Sequence, residues 1–274
     1  MNKVQKKKPI GIFDSGIGGL TVARAVAELL PHEDIIYFGD TAHLPYGDKS
    51  ANAIKSYCGN ITDFLKTFDC KMIVIACNTA SASGFKTVVK AAGKNIPVMN
   101  VVDPVVEHLV QIKEIKSIGV IGTKRTIESG IYAKKISQSC HKKVKSLATP
   151  LLAPMIEEGF FNNKISQTII NSYLEKKALS DIDALILACT HYPLIKKEIE
   201  TYYKKEVMVL DSAKIVALKI EQTLSKLKLL STTKTKGSYR FYVSDYTESF
   251  EKTSKLFFGS HIRLKEASQV HPSL

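Results

Sequence analysis

The chain has 274 residues, with 39 Lys plus Arg against 26 Asp plus Glu for a formal net charge of +13, five Cys, no Trp and 45% hydrophobic residues. This composition suits a globular protein with a sizeable core in one large domain or two smaller ones; it excludes a disulfide-stapled miniprotein and a disordered chain. No window approaches the roughly 18 uninterrupted apolar residues of a membrane span, and the basic start MNKVQKKK runs into IGIFDSGIGG rather than an apolar signal core, so a cytoplasmic protein is expected.

Short Ile- and Val-rich runs alternate with helical stretches almost from end to end, the pattern of parallel strands joined by crossover helices, and the expected class is α/β. Strands are predicted at 10–13, 35–38, 72–76, 98–101, 117–121, 145–148, 184–188, 207–210, 240–243 and 261–264. The continuous runs MIVIA and ALILA imply burial on both faces. A helix is predicted at 20–30, stopped by Pro31. After Ser50, the residues Ile54, Tyr57, Cys58, Ile61, Phe64, Leu65 and Phe68 recur at helical spacing and make one apolar stripe. Cys58 on that stripe reads as a small buried hydrophobe, and Cys70 and Cys140 read as structural.

Two echoes run through the chain: IGIFDSG is matched by IGVIGTK, and VIACNTA by LILACTH. From Asp14 to Cys77 is about 63 residues and from Thr123 to Cys189 about 66, the near-constant spacing that a duplication leaves. Two similar lobes are expected, each a mostly parallel sheet flanked by helices, with the active site in the cleft between them. The first is assigned 1–99 plus 208–274 and the second 100–207. The polar stretch STTKTKGS at 231–238 reads as a linker, and the strand and helix after it as additions to the first lobe.

In both echoes a buried-type strand ends in Ala-Cys and polar residues then open a helix: Cys77, Asn78 and Thr79 in one, Cys189, Thr190 and His191 in the other. That position lies outside the carboxyl ends of the strands, where open α/β sheets bind ligands. A helix N-terminus there attracts a carboxylate and is expected to lower a thiol from about 8.5 toward neutrality. Two thiols facing each other across a cleft suit inversion of a carbon centre, since one group takes the proton from one face while the other supplies a proton to the opposite face. Disulfide exchange usually places its thiols in CxxC, which is absent, and with no HxxxH either a zinc site has little support.

The loop FDSGIGG at 13–19 can bring N–H groups to an anion, with Ser15 adding a hydroxyl and Asp14 a carboxylate. Asp40 mimics the ribose-binding acid of a dinucleotide site. The mimicry fails where Thr21 stands in place of the third Gly and where Asp14 would face a pyrophosphate, so a nicotinamide cofactor is disfavoured. No Lys stands out as a pyridoxal phosphate anchor, and the expectation is no cofactor and no metal. The Lys residues are scattered in ones and twos without a nucleic-acid-binding signature, so a solvated basic surface is favoured over nucleic-acid binding.

Six segments in order resemble the bacterial glutamate racemases of the aspartate/glutamate racemase superfamily: IGIFDSGIGGLTV, YFGDTAHLPYGDKS, IACNTASA, VIGTKRTIESG, PMIEEG and LACTHYPLI. The resemblance covers nearly the whole chain. It implies cofactor-independent interconversion of L- and D-glutamate, supplying D-glutamate for peptidoglycan, with Cys77 and Cys189 as the acid/base pair. It further implies that Asp14 assists the first thiol and His191 the second. The substrate would be held by Asp14, Ser15, Asn78, Thr79, Thr123, Thr190 and His191, with Pro45, Tyr46 and Gly47 closing one side. By the same resemblance a homodimer is expected; some family members are thought to associate with DNA gyrase, for which this sequence offers no support. Glu157 falls in the acidic motif without a role arguable from chemistry, and His43 stands where many members carry Arg. The alternatives are an aspartate racemase of the same superfamily and a cysteine-dependent hydrolase with Cys189 as nucleophile and His191 as base.

Overall fold

The computed structural model describes residues 3–259 and 262–269. The first sheet begins with β1 (Ile10–Asp14), β2 (Ile35–Gly39), β3 (Met72–Ile75) and β4 (Val98–Asn100), and the chain then builds β5 (Ser117–Gly122), β6 (Lys143–Ala148), β7 (Ala184–Ala188) and β8 (Met208–Asp211) into a second. It returns to the first with β9 (Tyr239–Val243) and β10 (Leu264–Glu266). The orders are β10-β9-β2-β1-β3-β4 and β6-β5-β7-β8, and the pairings among the described residues are parallel. The helices are α1 (Lys3–Lys6), α2 (Leu20–Leu29), α3 (Ala51–Thr67), α4 (Asn78–Ala92), α5 (Val102–Val110), α6 (Lys124–Glu128), α7 (Ile131–Ser139), α8 (Leu152–Glu157), α9 (Lys164–Leu174), α10 (Lys196–Tyr202), α11 (Ser212–Lys226) and α12 (Glu248–Phe258). Among the described residues no helix is long and apolar enough to cross a membrane.

The apolar runs occupy the sheet centres. β1, β2, β3 and β7 are buried along their whole length, while β6, reading KVKSLA, is an edge strand with partly exposed residues. The stripe of α3 packs Ile54, Cys58, Ile61, Phe64 and Leu65 into one core, on the face of the first sheet that carries Phe13, Ile36, Ile73 and Ile75. A second core joins α5 and α7 to β5 and β7. The largest runs continuously from Ile12 and Val74 of the first sheet through Val22 and Val26 of α2 and Val216 and Ile220 of α11 to Leu185 and Leu187 of the second. The lobes therefore share apolar packing as well as a cleft.

Three expectations need correction. The expected lobe boundary at residue 208 splits the strand at 207–210, but Met208–Asp211 pairs with β7 in the second sheet, where Val209 lies beside Leu185 and Leu210 beside Ile186. The strand placed at 261–264 begins instead at Leu264, and its first expected residue, His261, lies outside the described residues. The stretch 231–238 is no loose linker. Its backbone N–H groups at Ser231, Gly237 and Ser238 donate to Glu33 Oε1, the Pro31 carbonyl and Asp34 Oδ1, and a Cβ at Gly237 would lie 2.0 Å from the Glu33 carbonyl oxygen. Glu33 is itself buried against Lys71, whose Nζ also donates to the carbonyls of Lys6 and Leu229.

Candidate active site

The echoed turns lie at the carboxyl ends of β3 and β7, adjacent to β1 and β5 in their sheets. Cys77 is the N-cap of α4: its Sγ accepts from the Ala80 N–H at 3.3 Å and lies 3.6 Å from Ser15 Oγ. After Cys189 the chain makes a tight turn, Tyr192–Ile195, that leads directly into α10, with Pro193 in its first turn, where a missing N–H costs no hydrogen bond. Cys189 Sγ lies 3.6 Å from His191 Nδ1.

Both thiols line one small cavity between the sheets. Its wall includes Ser15, Pro45, Tyr46, Gly47, Cys77, Asn78, Thr79, Thr123, Cys189, Thr190 and His191, together with Leu44, Ala153, Pro154, Glu157 and Ala188. Its volume is small, about 60 Å³. A larger groove of about 630 Å³ between α2 and α11 contains no thiol.

Asp14 is the one expected site residue that does not line this wall. Fully buried behind it, Asp14 accepts from the N–H groups of Gly16 (3.2 Å) and Gly19 (3.0 Å) through Oδ2, and from Thr190 Oγ1 (3.4 Å) through Oδ1. Burial raises its carboxyl above the usual range, opposed by the charge of His191 and by these N–H groups. The N–H groups of Gly16 and Gly19 in the FDSGIGG loop thus serve the chain's own carboxylate. Close approach explains the glycines: a Cβ on Gly18 would stand 2.5 Å from the His191 ring and from Thr190 Oγ1, and one on Gly19 would stand 2.5 Å from Asp14 Cβ.

The thiol of Cys77 also departs from expectation. Burial pushes it up to about 12, the Asp14 carboxylate adds to the rise, and the N–H of Ala80 and the Ser15 hydroxyl only partly offset them. The helix N-terminus is present, but desolvation wins. On the second lobe the balance is reversed. Burial alone would lower His191, but Cys189 at Nδ1 and the Glu157 carboxylate, 2.8 Å from Nε2, outweigh it and hold the imidazole well above its ordinary value. The Phe257 ring of α12 meets the imidazole edge-on, with centroids 5.2 Å apart.

Three residues complete the site without having been assigned from sequence. Glu157, at the end of α8, faces His191. Thr126 forms a cluster with Thr79 and Thr123, all three hydroxyl oxygens within 2.9–3.1 Å of one another across the two lobes. Tyr132 of α7 donates its hydroxyl to Asn78 Oδ1 at 2.6 Å, while Asn78 Nδ2 is buried with no partner. In the sequence, Glu157 falls in PMIEEG and Thr126 in VIGTKRTIESG, while Tyr132 lies in none of the six segments. Asp40 is fully occupied, accepting from the Tyr46 hydroxyl (2.5 Å) and from Ser244 Oγ (2.8 Å) and meeting His43 Nδ1 (2.8 Å), so it anchors the loop that carries Pro45, Tyr46 and Gly47. Arg125 Nε of α6 donates across the cleft to the Lys49 carbonyl at the end of that loop, at 3.1 Å.

Two parallel-sheet lobes with a thiol from each on the wall of a shared cavity define the class: the sequence profile of the Asp/Glu/Hydantoin racemase family matches residues 20–220, and the chain belongs to that family. Its similarity within the family is to glutamate racemases. It is 41% identical over 270 residues to the glutamate racemase of Chlorobium phaeobacteroides, spanning 98% of this chain and 99% of that one, and 41% identical over 262 residues to that of Chlorobaculum tepidum, spanning 95% and 96%. The solved glutamate racemase of Francisella tularensis in complex with D-glutamate superposes with a TM-score of 0.89 at 38% identity, covering 95% of this chain and 97% of that one.

Proposed function

We propose that this enzyme interconverts L- and D-glutamate by proton transfer at Cα between two thiols, Cys77 and Cys189, without a cofactor. The observation that carries the reading is the presence of both thiols, from equivalent strand ends of two lobes, on the wall of one small cavity. As a thiolate, one sulfur takes the Cα proton; the electron pair left at Cα spreads into the α-carboxylate, and the other thiol returns a proton to the opposite face. Each turnover exchanges which sulfur carries the proton. The donors for the substrate carboxylates are Ser15, Asn78, Thr79, Thr123 and Thr190, preplaced in a site with little room for water, where their fields act with little screening. Asp14 supports the Cys77 side through the FDSGIGG loop, and His191, held by Glu157, supports the Cys189 side. Pro45, Tyr46 and Gly47 close the cavity. A cytoplasmic location, a homodimer and supply of D-glutamate to peptidoglycan synthesis accompany this reading through the relationship to the glutamate racemases.

One rival has a specific observation behind it: Cys189, His191 and Glu157 stand in the order of nucleophile, base and orienting acid of a cysteine hydrolase. That chemistry leaves Cys77 without a task. Circular dichroism of purified protein incubated separately with L- and D-glutamate, alongside Cys77→Ser and Cys189→Ser, decides between them. The proposal expects the optical signal of either enantiomer to decay to zero and each substitution to stop the decay. Decay with aspartate alone would reassign the substrate, and an active Cys77→Ser enzyme would remove the two-thiol mechanism.

A further inference from the structure

Asn78 offers the cavity a donor only if its amide is held one way round, and the group that holds it comes from the opposite lobe. Asn78 is the first residue of α4 and is buried at 2% exposure. Its Oδ1 accepts from the Tyr132 hydroxyl at 2.6 Å, and its Nδ2 is one of three buried side-chain polar atoms without a partner among the described residues. A buried amide N–H without a partner is costly, and free rotation of the side chain would be expected to relieve it. With Oδ1 committed to Tyr132, Nδ2 is the end of the amide left for the cavity that Asn78 lines. Tyr132 is itself buried at 2% exposure, and burial, with the Asp103 carboxylate adding, raises its hydroxyl further above its ordinary value, so it stays protonated, and Asn78 Oδ1 is the acceptor for that proton.

We infer that Tyr132 is a positioning residue for the substrate: from the second lobe it fixes the Asn78 amide so that Nδ2 is presented to a substrate carboxylate. The inference rests on the glutamate racemase reading for the identity of that carboxylate. Tyr132 and Asn78 lie on helices of different lobes, so the orientation of the donor depends on a contact made across the cleft.

The test is a double-mutant cycle of Tyr132→Phe and Asn78→Ala, read as KM and kcat with each enantiomer of glutamate. Tyr132→Phe is expected to raise KM about fivefold for both, the scale of one neutral hydrogen bond, with a smaller change in kcat. In the Asn78→Ala background it is expected to change nothing further, because the group through which it acts is gone. An unchanged KM in the single variant, or the same fold-change in both backgrounds, would overturn the inference and leave Tyr132 as packing. Failure of the racemase reading is visible separately, since wild-type protein would then convert neither enantiomer. In that event the crystal structure of Tyr132→Phe decides: a turned or disordered Asn78 amide supports the positioning role, and an unmoved one refutes it.

Discussion

The strongest physical claim about the site is that Cys77 rests protonated, and it can be tested without any substrate. Raising a thiol from the ordinary 9.0 to about 12 leaves about a thousandfold less thiolate at any pH below 9. A more basic sulfur is intrinsically more nucleophilic, with a Brønsted slope of about 0.4–0.5, which restores a factor of about 20. Alkylation of Cys77 by iodoacetamide near neutral pH is therefore expected to run about 50-fold slower than that of a free thiol, and slower still because the residue is only 5% exposed. The assay is mass-spectrometric quantitation of the Cys77 peptide over time in a Cys189→Ser variant, from about pH 6 to about pH 10. The rate should climb about tenfold per pH unit across the range without levelling off. A plateau reached by about pH 8, at a rate matching or exceeding that of free cysteine, would refute the reasoning, because it would mean that the N-terminus of α4 outweighs burial and Asp14.

The raised thiols also carry a stability prediction. Cys70 and Cys77 are both held up to about 12, so between about pH 9 and 12 the native state binds more protons than the unfolded one. Their contribution is fully present below about pH 9 and is lost as pH rises, at about 1.4 kcal/mol per pH unit for each thiol; urea midpoints in reductant at two alkaline pH values measure it, and a flat profile would contradict it. Glu157→Gln removes the carboxylate at His191 Nε2, a charge-assisted contact of about 1.5–3 kcal/mol reduced by the partial exposure of Glu157. We expect kcat/KM to fall about tenfold and equally in both directions, since the enantiomers have equal free energy; an unchanged value would remove Glu157 from the machinery. Lys71→Met leaves the Glu33 carboxylate buried without its cation and is expected to cost about 3–5 kcal/mol in urea unfolding, much of it recovered in Lys71→Met/Glu33→Leu. A loss below about 1 kcal/mol would show that the pair is dispensable.

Much of the fold was legible because central strands of parallel sheets are buried on both faces, and runs such as Met72–Ile75 and Ala184–Ala188 are uninterrupted Ile, Val, Leu, Ala and Met. What escaped was decided by partners far away in sequence. The membership of β8 depends on its register with β7, and the restraint on 231–238 depends on Glu33 and Asp34, some two hundred residues earlier. The same division holds at the cavity. Cys77 and Cys189 announce themselves by an echo between two stretches of the chain, but Tyr132 has no local pattern and Thr126 only a place in VIGTKRTIESG, and their meaning lies in hydroxyl contacts across the cleft. The direction of the Cys77 shift was missed for a related reason. A strand followed by a helix start is visible in sequence, whereas the depth of burial and the carboxylate behind the loop are not.

The sequence echo between the two thiols does not make them equivalent, and the difference has a consequence for the proposed reaction. Beside Cys77 stand a buried carboxylate behind the wall and a serine hydroxyl, an environment that favours the neutral thiol. Beside Cys189 stands an imidazole held toward its charged form by contacts at both ring nitrogens. The resting enzyme is therefore biased toward a proton on Cys77. A racemase must use both arrangements in turn, because its two substrates are mirror images of equal free energy. After turnover in one direction the protons lie in the disfavoured arrangement, and the enzyme must relax before it can accept the same enantiomer again. The energetic gap between the two arrangements is set by Asp14 on one lobe and Glu157 on the other. Both act on the enzyme's proton arrangement rather than on the overall equilibrium, so substitutions there should divide kcat unequally between the two directions while leaving the ratio of kcat/KM values at unity.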